Sequence, residues 1–411
     1  MMLKQWLFVG LLAAAMAVRA DLDPVVEHID PITPVPGLTL AQVLDQALAR
    51  YPDRHRLAGL ATEISALKER GASWLAGPVT FGVSLQEAFR GELFVSDADF
   101  TVPLWRLGQR GAEQAVAESA GAALALQQQA LKLEIAGYLR TAVWQLALAN
   151  VRHQQAVNAW QSARQLAEQV RLRVAAGDLP QADLLLAQTE VLAKRSKVTQ
   201  AEAEIMHARK FYQILTEDTK IPTDYAETQA LAKPLQEHPL LGLISAQVQR
   251  QRAELAAIEA AQSGQPELRV GINSERGDIR SNETESIKVG ISIPFGGGAL
   301  RAPQIAAQNL AVQKSLTERD QLYRKLRIAL HEAEHALEVD RAELTTANEM
   351  RDLAQQHERL SDIGFKAGEI DLSTLLKSRR MADQARLNAE QHELFQLRDT
   401  AFYNQAAGEL P

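Results

Sequence analysis

The sequence has 411 residues, of which 46% are hydrophobic and 23% charged, a balance that excludes a disordered chain. Aromatic residues make up only 5% while alanine, leucine and glutamine abound, which argues against an aromatic-rich globular core and suits long helices and coiled coils. The net charge of -7, with no long basic block, excludes nucleic acid as a partner of the chain as a whole.

The chain opens with Lys4 and an apolar run from Leu7 to Val18, followed by small Ala20, the pattern of a secretory signal peptide over residues 1–20. That run is too short for a spanning helix. No cysteine occurs, which removes disulfides, thiolate sites and a lipoprotein-type acylated cysteine. No later stretch is long and apolar enough to span a membrane as a helix, so any crossing must be made by a closed β-barrel.

Residues 21–38 form a proline-dotted arm, expected to be irregular, and residues 39–75 carry a helical pattern. Residues 79–103 read as a β-hairpin: Val79, Phe81, Val83 and Leu85 alternate with Thr80, Ser84 and Gln86, and the partner strand ends in Pro103. A long helix is expected over 104–176, roughly 110 Å in length. In it Ile135, Ala142, Ala149, Ala156, Ala163 and Val170 recur every seven residues, as do Leu139, Leu146, His153, Trp160, Ala167 and Val174. Gly177 and Pro180 then mark a turn into a return helix over 181–216. That helix covers only half of the long one, so the helix of 39–75 is expected to stack end to end with it and cover the rest. Residues 217–235 form an irregular link.

The pattern then repeats over 236–408, and one offset of 191 residues carries Pro103 onto Pro294, Leu139 onto Leu330, Leu146 onto Leu337 and Gly177 onto Gly368. The second repeat has a helix, a hairpin over 266–295, a long helix over 299–366 and a return helix over 371–408. Apolar rows of the strands would face lipid and polar rows a wet lumen. Four strands cannot close a wide barrel, whereas three chains give twelve with no free edge, so a homotrimer is expected. The fold class is thus mainly α with a membrane β-barrel portion.

This order of elements resembles the TolC-like outer-membrane efflux proteins over residues 38–408. The resemblance is carried by Thr39-Leu40-Ala41-Gln42-Val43-Leu44-Asp45-Gln46-Ala47-Leu48 followed by Pro52, by the strand-ending Pro103 and Pro294, and by the glycine turns at Gly177 and Gly368. It implies a trimer in the outer membrane with a periplasmic helical tunnel, acting as a passive duct. Its implied partners are outer-membrane lipid, a periplasmic adaptor and an inner-membrane transporter of the resistance-nodulation-division type. Pro103 and Pro294 would be the strand-to-helix hinges. The pump-side aperture and adaptor-docking tip would hold Gly177, Asp178, Asp183, Gly368, Glu369, Asp371, Thr374 and Lys377. Compact length and the missing cysteine look most like the outer factors of cobalt-zinc-cadmium resistance systems, so heavy-metal cations are the expected cargo ahead of drugs. The carboxylates that narrow the aperture in well-known members have Thr374 and Lys377 at the corresponding positions here.

Two other readings compete. His331-Glu332-Ala333-Glu334-His335 matches a zinc-protease motif, and His331 and His335 are the candidate metal contacts. The helical seam runs through Leu330, Ala333 and Leu337, however, which sets both histidines beside it on a solvated face. A periplasmic adaptor of the same kind of pump would be exported and carry a coiled-coil hairpin, but one hairpin and not two. His153 is expected to be a packing residue, and Gly296-Gly297-Gly298 a hinge rather than a phosphate loop. No catalytic residue and no cofactor are expected, and the chain is read as a conduit rather than an enzyme.

Overall fold

The computed structural model describes residues 31–231, 233–261, 264–277 and 280–411, so the expected signal peptide and residues 21–30 of the arm lie outside the described residues. The elements are β1 (Thr33–Val35), α1 (Leu40–Arg50), α2 (Arg54–Ala72), β2 (Thr80–Glu87), β3 (Phe94–Pro103), α3 (Gln109–Ala175), α4 (Gln181–Thr216), β4 (Lys220–Pro222), α5 (Pro239–Ala260), β5 (Glu267–Arg276), β6 (Thr284–Ser292), α6 (Gly298–Ala367) and α7 (Leu372–Ala407). Among the described residues no helix is long and apolar enough to cross a membrane. Strands β2, β3, β5 and β6 form one antiparallel sheet in that order.

The two long helices run 67 and 70 residues, about 100 Å each at 1.5 Å per residue. The heptad positions explain why α3 needs partners along its length. Ile135, Leu139, Ala142, Leu146, Ala163 and Val170 are all buried, with the alanines allowing close approach of the axes. Each buried Ile, Leu or Val side chain contributes about 1.5–3 kcal/mol. His153 is half-buried at its seam position, its Nε2 4.0 Å from Glu202.

The expected helix over 39–75 is two helices. α1 starts on a capping box, with Gln42 N–H donating to Thr39 Oγ1 at 3.2 Å and Thr39 N–H to Gln42 Oε1 at 3.0 Å. It ends at Tyr51, whose ψ of 138° is extended because Pro52 disfavours the helical region for the residue before it. The break changes the stacking. α1 lies beside the end of α4 instead of continuing it, sharing a core of Leu40, Val43, Leu44 and Ala47 with Ile205, Ala208 and Tyr212. The Arg50 guanidinium donates to the carbonyls of Thr216 and Glu217 at 3.0 and 2.8 Å, closing the end of α4. α2 then covers the first turns of α3, where Arg70 pairs with Glu113 at 2.8 Å.

The arm and the link, expected to be irregular, contain a small parallel sheet in which β1 pairs with β4. Its cause is apolar anchoring: Ile221 is buried, and Ile32 and Leu38 pack against the same core. The link is held further by Arg140 of α3, which is fully buried. Arg140 binds the Glu227 carboxylate in bidentate fashion at 2.8 and 2.7 Å and donates to Gln405 Oε1 at 2.5 Å and to the Glu409 carbonyl at 3.0 Å. α3 itself begins five residues later than expected, because residues 104–108 form the passage out of the sheet.

In the second repeat α5 does abut the end of α7. Gly408 has φ +86° and closes α7, and a Cβ there would meet His238 Cδ2 and Pro239 Cδ at 2.8 Å. His238 caps α5 by accepting from Leu240 N–H through Nδ1 at 3.2 Å, and its buried Nε2 has no partner. Burial therefore lowers the His238 pKa below its ordinary 6.5. Below that value the unfolded imidazole takes a proton that the folded one refuses, so stability should fall as pH drops from about 6.5 toward the folded pKa. His238→Asn keeps a capping oxygen. In thermal melts of detergent-solubilised protein it should lose less stability than the wild type between pH 7.5 and pH 5.5, and identical losses would refute the assignment.

Candidate functional site

The sheet separates its side chains by register. Phe81, Phe100, Val270 and Val289 are successive cross-strand partners, as are Val83, Ala98, Ile272 and Ile287, which gives continuous apolar rows on one face. Phe81 and Phe100 touch with ring centroids 5.0 Å apart. Phe81, Val83, Ile272, Ile287, Val289 and Ile291 are all more than half exposed in the single chain. The opposite face carries the row Ser84, Asp97, Asn273 and Ser286 and the row Gly82, Asp99, Gly271 and Lys288. There Asp97 accepts from Asn273 at 2.9 Å and lies 3.6 Å from Lys288, while Asp99 lies 3.4 Å from Arg269. Strands of 8 to 10 residues with one apolar and one polar face have the dimensions of a tilted bilayer span.

At the hinges the prolines are part of a larger junction. Pro103 closes β3 and Pro294 follows β6, and they are packed alike, Pro103 against Gly77 and Pro294 against Gly264, each with its Cγ 3.3 Å from where a glycine Cβ would stand. Arg106 ties the two halves, donating from Nε to the Gly264 carbonyl at 2.6 Å and from Nη2 to the Pro294 carbonyl at 2.5 Å. Trp105 Nε1 donates to the Ser73 carbonyl and Leu104 N–H to the Pro266 carbonyl. Gly296 and Gly297 both take left-handed backbone, φ +83° and +72°, before α6 begins.

At the far end both helix turns share one motif. Gly177 and Gly368 sit at φ +83° and +81°; Asp178 N–H returns to the Arg173 carbonyl at 2.9 Å, and Glu369 N–H to the Gly364 carbonyl at 2.8 Å. The two turns are joined by a core of Leu166, Val170, Ala187, Phe365, Leu372, Leu375 and Leu376. Arg173 reinforces it, stacking 5.1 Å above the Phe365 ring and donating to the Phe365 carbonyl at 3.1 Å. Ion pairs between α4 and α7 continue this brace, Glu190 with Arg380 and Lys194 with Asp383.

The expected tip residues Asp178, Glu369, Thr374 and Lys377 are exposed around these turns, and Asp183 is half-buried. Asp371 is differently engaged. Its carboxylate caps α7, accepting from Thr374 N–H at 2.8 Å and from Ser373 Oγ, and hydrogen bonds from Thr374, with help from Ser373 and the Lys377 charge, hold it below its ordinary pKa.

His331 and His335 are exposed in the single chain, their rings stacked 6.5 Å apart along α6. No acidic or histidine side chain among the described residues joins them in a ligand-like group; the set that does come together is Asp340, Glu343 and His392. Local spacing within one helix could not reveal that group, whose members come from two helices.

No family model matches this sequence, and no curated protein matches it. Solved structures do. The chain superposes on CusC, whose transmembrane channel formation has been described structurally, with a TM-score of 0.71 at 14% identity over 90% of this chain and 92% of that one. It superposes on the CmeC outer membrane channel of Campylobacter jejuni with a TM-score of 0.71 at 14% identity, covering 90% and 85% of the two chains. For the outer membrane protein VceC of Vibrio cholerae the score is 0.70 at 11% identity, covering 90% and 96%. The chain therefore has the TolC-like fold expected from its sequence, with long helices and one four-stranded sheet.

Proposed function

We propose that the chain is an outer-membrane channel subunit of a tripartite efflux system, a passive duct that closes a twelve-stranded barrel as a homotrimer. The observation that carries this reading is the register of the four-stranded sheet. It places every apolar row on one face while both edges stay unpaired among the described residues, a state stable in lipid only when neighbouring copies complete the barrel. The helical column below would be the periplasmic tunnel. Its tip, with Gly177, Asp178, Asp183, Gly368, Glu369, Asp371, Thr374 and Lys377, would meet a periplasmic adaptor, which delivers substrate from an inner-membrane transporter. The resemblance to the outer factors of cobalt-zinc-cadmium resistance systems favours heavy-metal cations over drugs as cargo. Two long hairpins joined to four strands do not suit an adaptor, and the exposed His331 and His335 do not suit a protease.

Fractionation should recover the protein from outer membranes as a trimer; a soluble monomer would overturn the reading. The tip assignment has a separate test. Nothing lies within 4 Å of a Cβ built on Gly177 or Gly368, so a side chain there is opposed chiefly by the left-handed backbone, at a cost of about 1–2 kcal/mol or more for a β-branched residue such as valine. Gly177→Val and Gly368→Val should leave trimer levels nearly unchanged while adaptor crosslinking through Asp178→Cys and Glu369→Cys fails along with resistance. Normal crosslinking and resistance in both variants would show that docking lies elsewhere.

A further inference from the structure

Away from the sheet and the tip, one group of side chains is unexplained by the duct. Asp340 and Glu343 stand three residues apart on one face of α6, His392 faces them from α7, and one ligand atom from each lies within 4.8 Å of the other two. His392 Nδ1 is 3.9 Å from Asp340 Oδ1 and 3.6 Å from Glu343 Oε2, beyond hydrogen-bonding reach, and it is buried with no other partner. Asp340 is only 8% exposed, and its carboxyl shares a hydrogen bond with that of Asp399. Buried polar atoms in folded proteins are nearly always satisfied. Asp399 brings a second carboxyl against Asp340, and Arg398 is turned to Asp399 at 2.6 Å and stacks on Phe395 and Phe402.

We infer that Asp340, Glu343 and His392 bind a divalent transition-metal cation of the zinc class, which ties α6 to α7. One imidazole nitrogen with two carboxylate oxygens suits zinc, cobalt or nickel better than magnesium or calcium, which favour oxygen alone. Tetrahedral ligands around zinc stand about 3.3–3.5 Å apart, so the present separations need only a small inward shift. Glu343, with a side chain 56% exposed, is free to make it. A cleft of ≈ 330 Å³, lined by Glu343, His392, Thr346 and Met350, opens beside the group and leaves room for an ion and its completing water. The ion would bridge residues 52 positions apart, from Asp340 to His392, which no local motif could pair.

The site is independent of the duct reading and is tested on the full-length protein in detergent, stripped with a chelator and titrated with Zn(II) by calorimetry. One ion per chain should bind, and zinc should raise the melting temperature. His392→Gln and Glu343→Gln should each weaken binding by more than about tenfold and abolish the thermal shift, at wild-type levels of protein in the outer membrane. Glu343 is exposed, so its variant carries the test even where changes at His392 disturb packing. The double variant His331→Gln/His335→Gln should bind as the wild type does. Absence of saturable binding, survival of binding in both single variants, or its loss in the His331/His335 variant would overturn the inference.

Discussion

Glu227→Gln should destabilise the protein more than any change at a single surface pair. Arg140 has no exposed side-chain area and Glu227 only 10%, so the substitution leaves a buried guanidinium facing a neutral amide. Removing one partner of such a pair costs on the order of 3–5 kcal/mol. The damage should spread, because Asn404 also donates to Glu227 at 3.0 Å and receives Ala230 N–H at 2.8 Å, tying α7 and the link to the same carboxylate. Melting of the detergent-solubilised protein, followed by far-ultraviolet circular dichroism, should fall well below wild type. Replacing both partners with methionine should recover part of the loss, since the charge itself is then gone. Equal melting of Glu227→Gln and wild type would show that Arg140 is satisfied without its carboxylate.

The second large effect is expected on the sheet. Val289 lies in the apolar row opposite Val270 and is 66% exposed in the single chain, whereas its neighbour Lys288 points to the polar face near Asp97. An arginine at a lipid-facing position in mid-membrane costs about 2–4 kcal/mol, and every subunit of the barrel would bear it. Val289→Arg should therefore reduce trimer in the outer membrane sharply, while Lys288→Arg leaves it near normal. Equal trimer levels in the two variants would mean that the faces are assigned the wrong way round.

The periodic parts of the fold were legible because burial imposes them. Heptads in α3 and alternation in the strands each express one face meeting one environment, and a glycine followed by proline marks a turn wherever it stands. Tyr51-Pro52 also carried its signal, but the helical pattern on both sides outweighed it, and the resulting lateral shift of α1 against α4 depends on tertiary packing. Arg140 was not legible as a buried residue, since nothing local distinguishes an arginine that meets Glu227 from one that meets water. Arg106 had no counterpart to draw attention to it: the duplication offset carries it onto Gly297. At the tip the turns could be read from glycine, but not that Asp371 also caps α7. At His331 and His335 a local spacing fits a known chemistry, but both side chains are exposed in the single chain, as the run of the helical seam beside them led one to expect.

The sheet order of β2, β3, β5 and β6 has a consequence in the parity of the strands. An even number of strands per chain means that β2 and β6 run in opposite directions. The last strand of one copy can then meet the first strand of the next antiparallel, with the same ladder as inside the chain. The two edges are also unlike in sequence, so copies joined in this way follow one another head to tail, and such a series must close into a ring or grow without end. A two-fold dimer, which pairs like edge with like, would leave two strand edges bare. An odd number of strands would force a parallel seam at every junction.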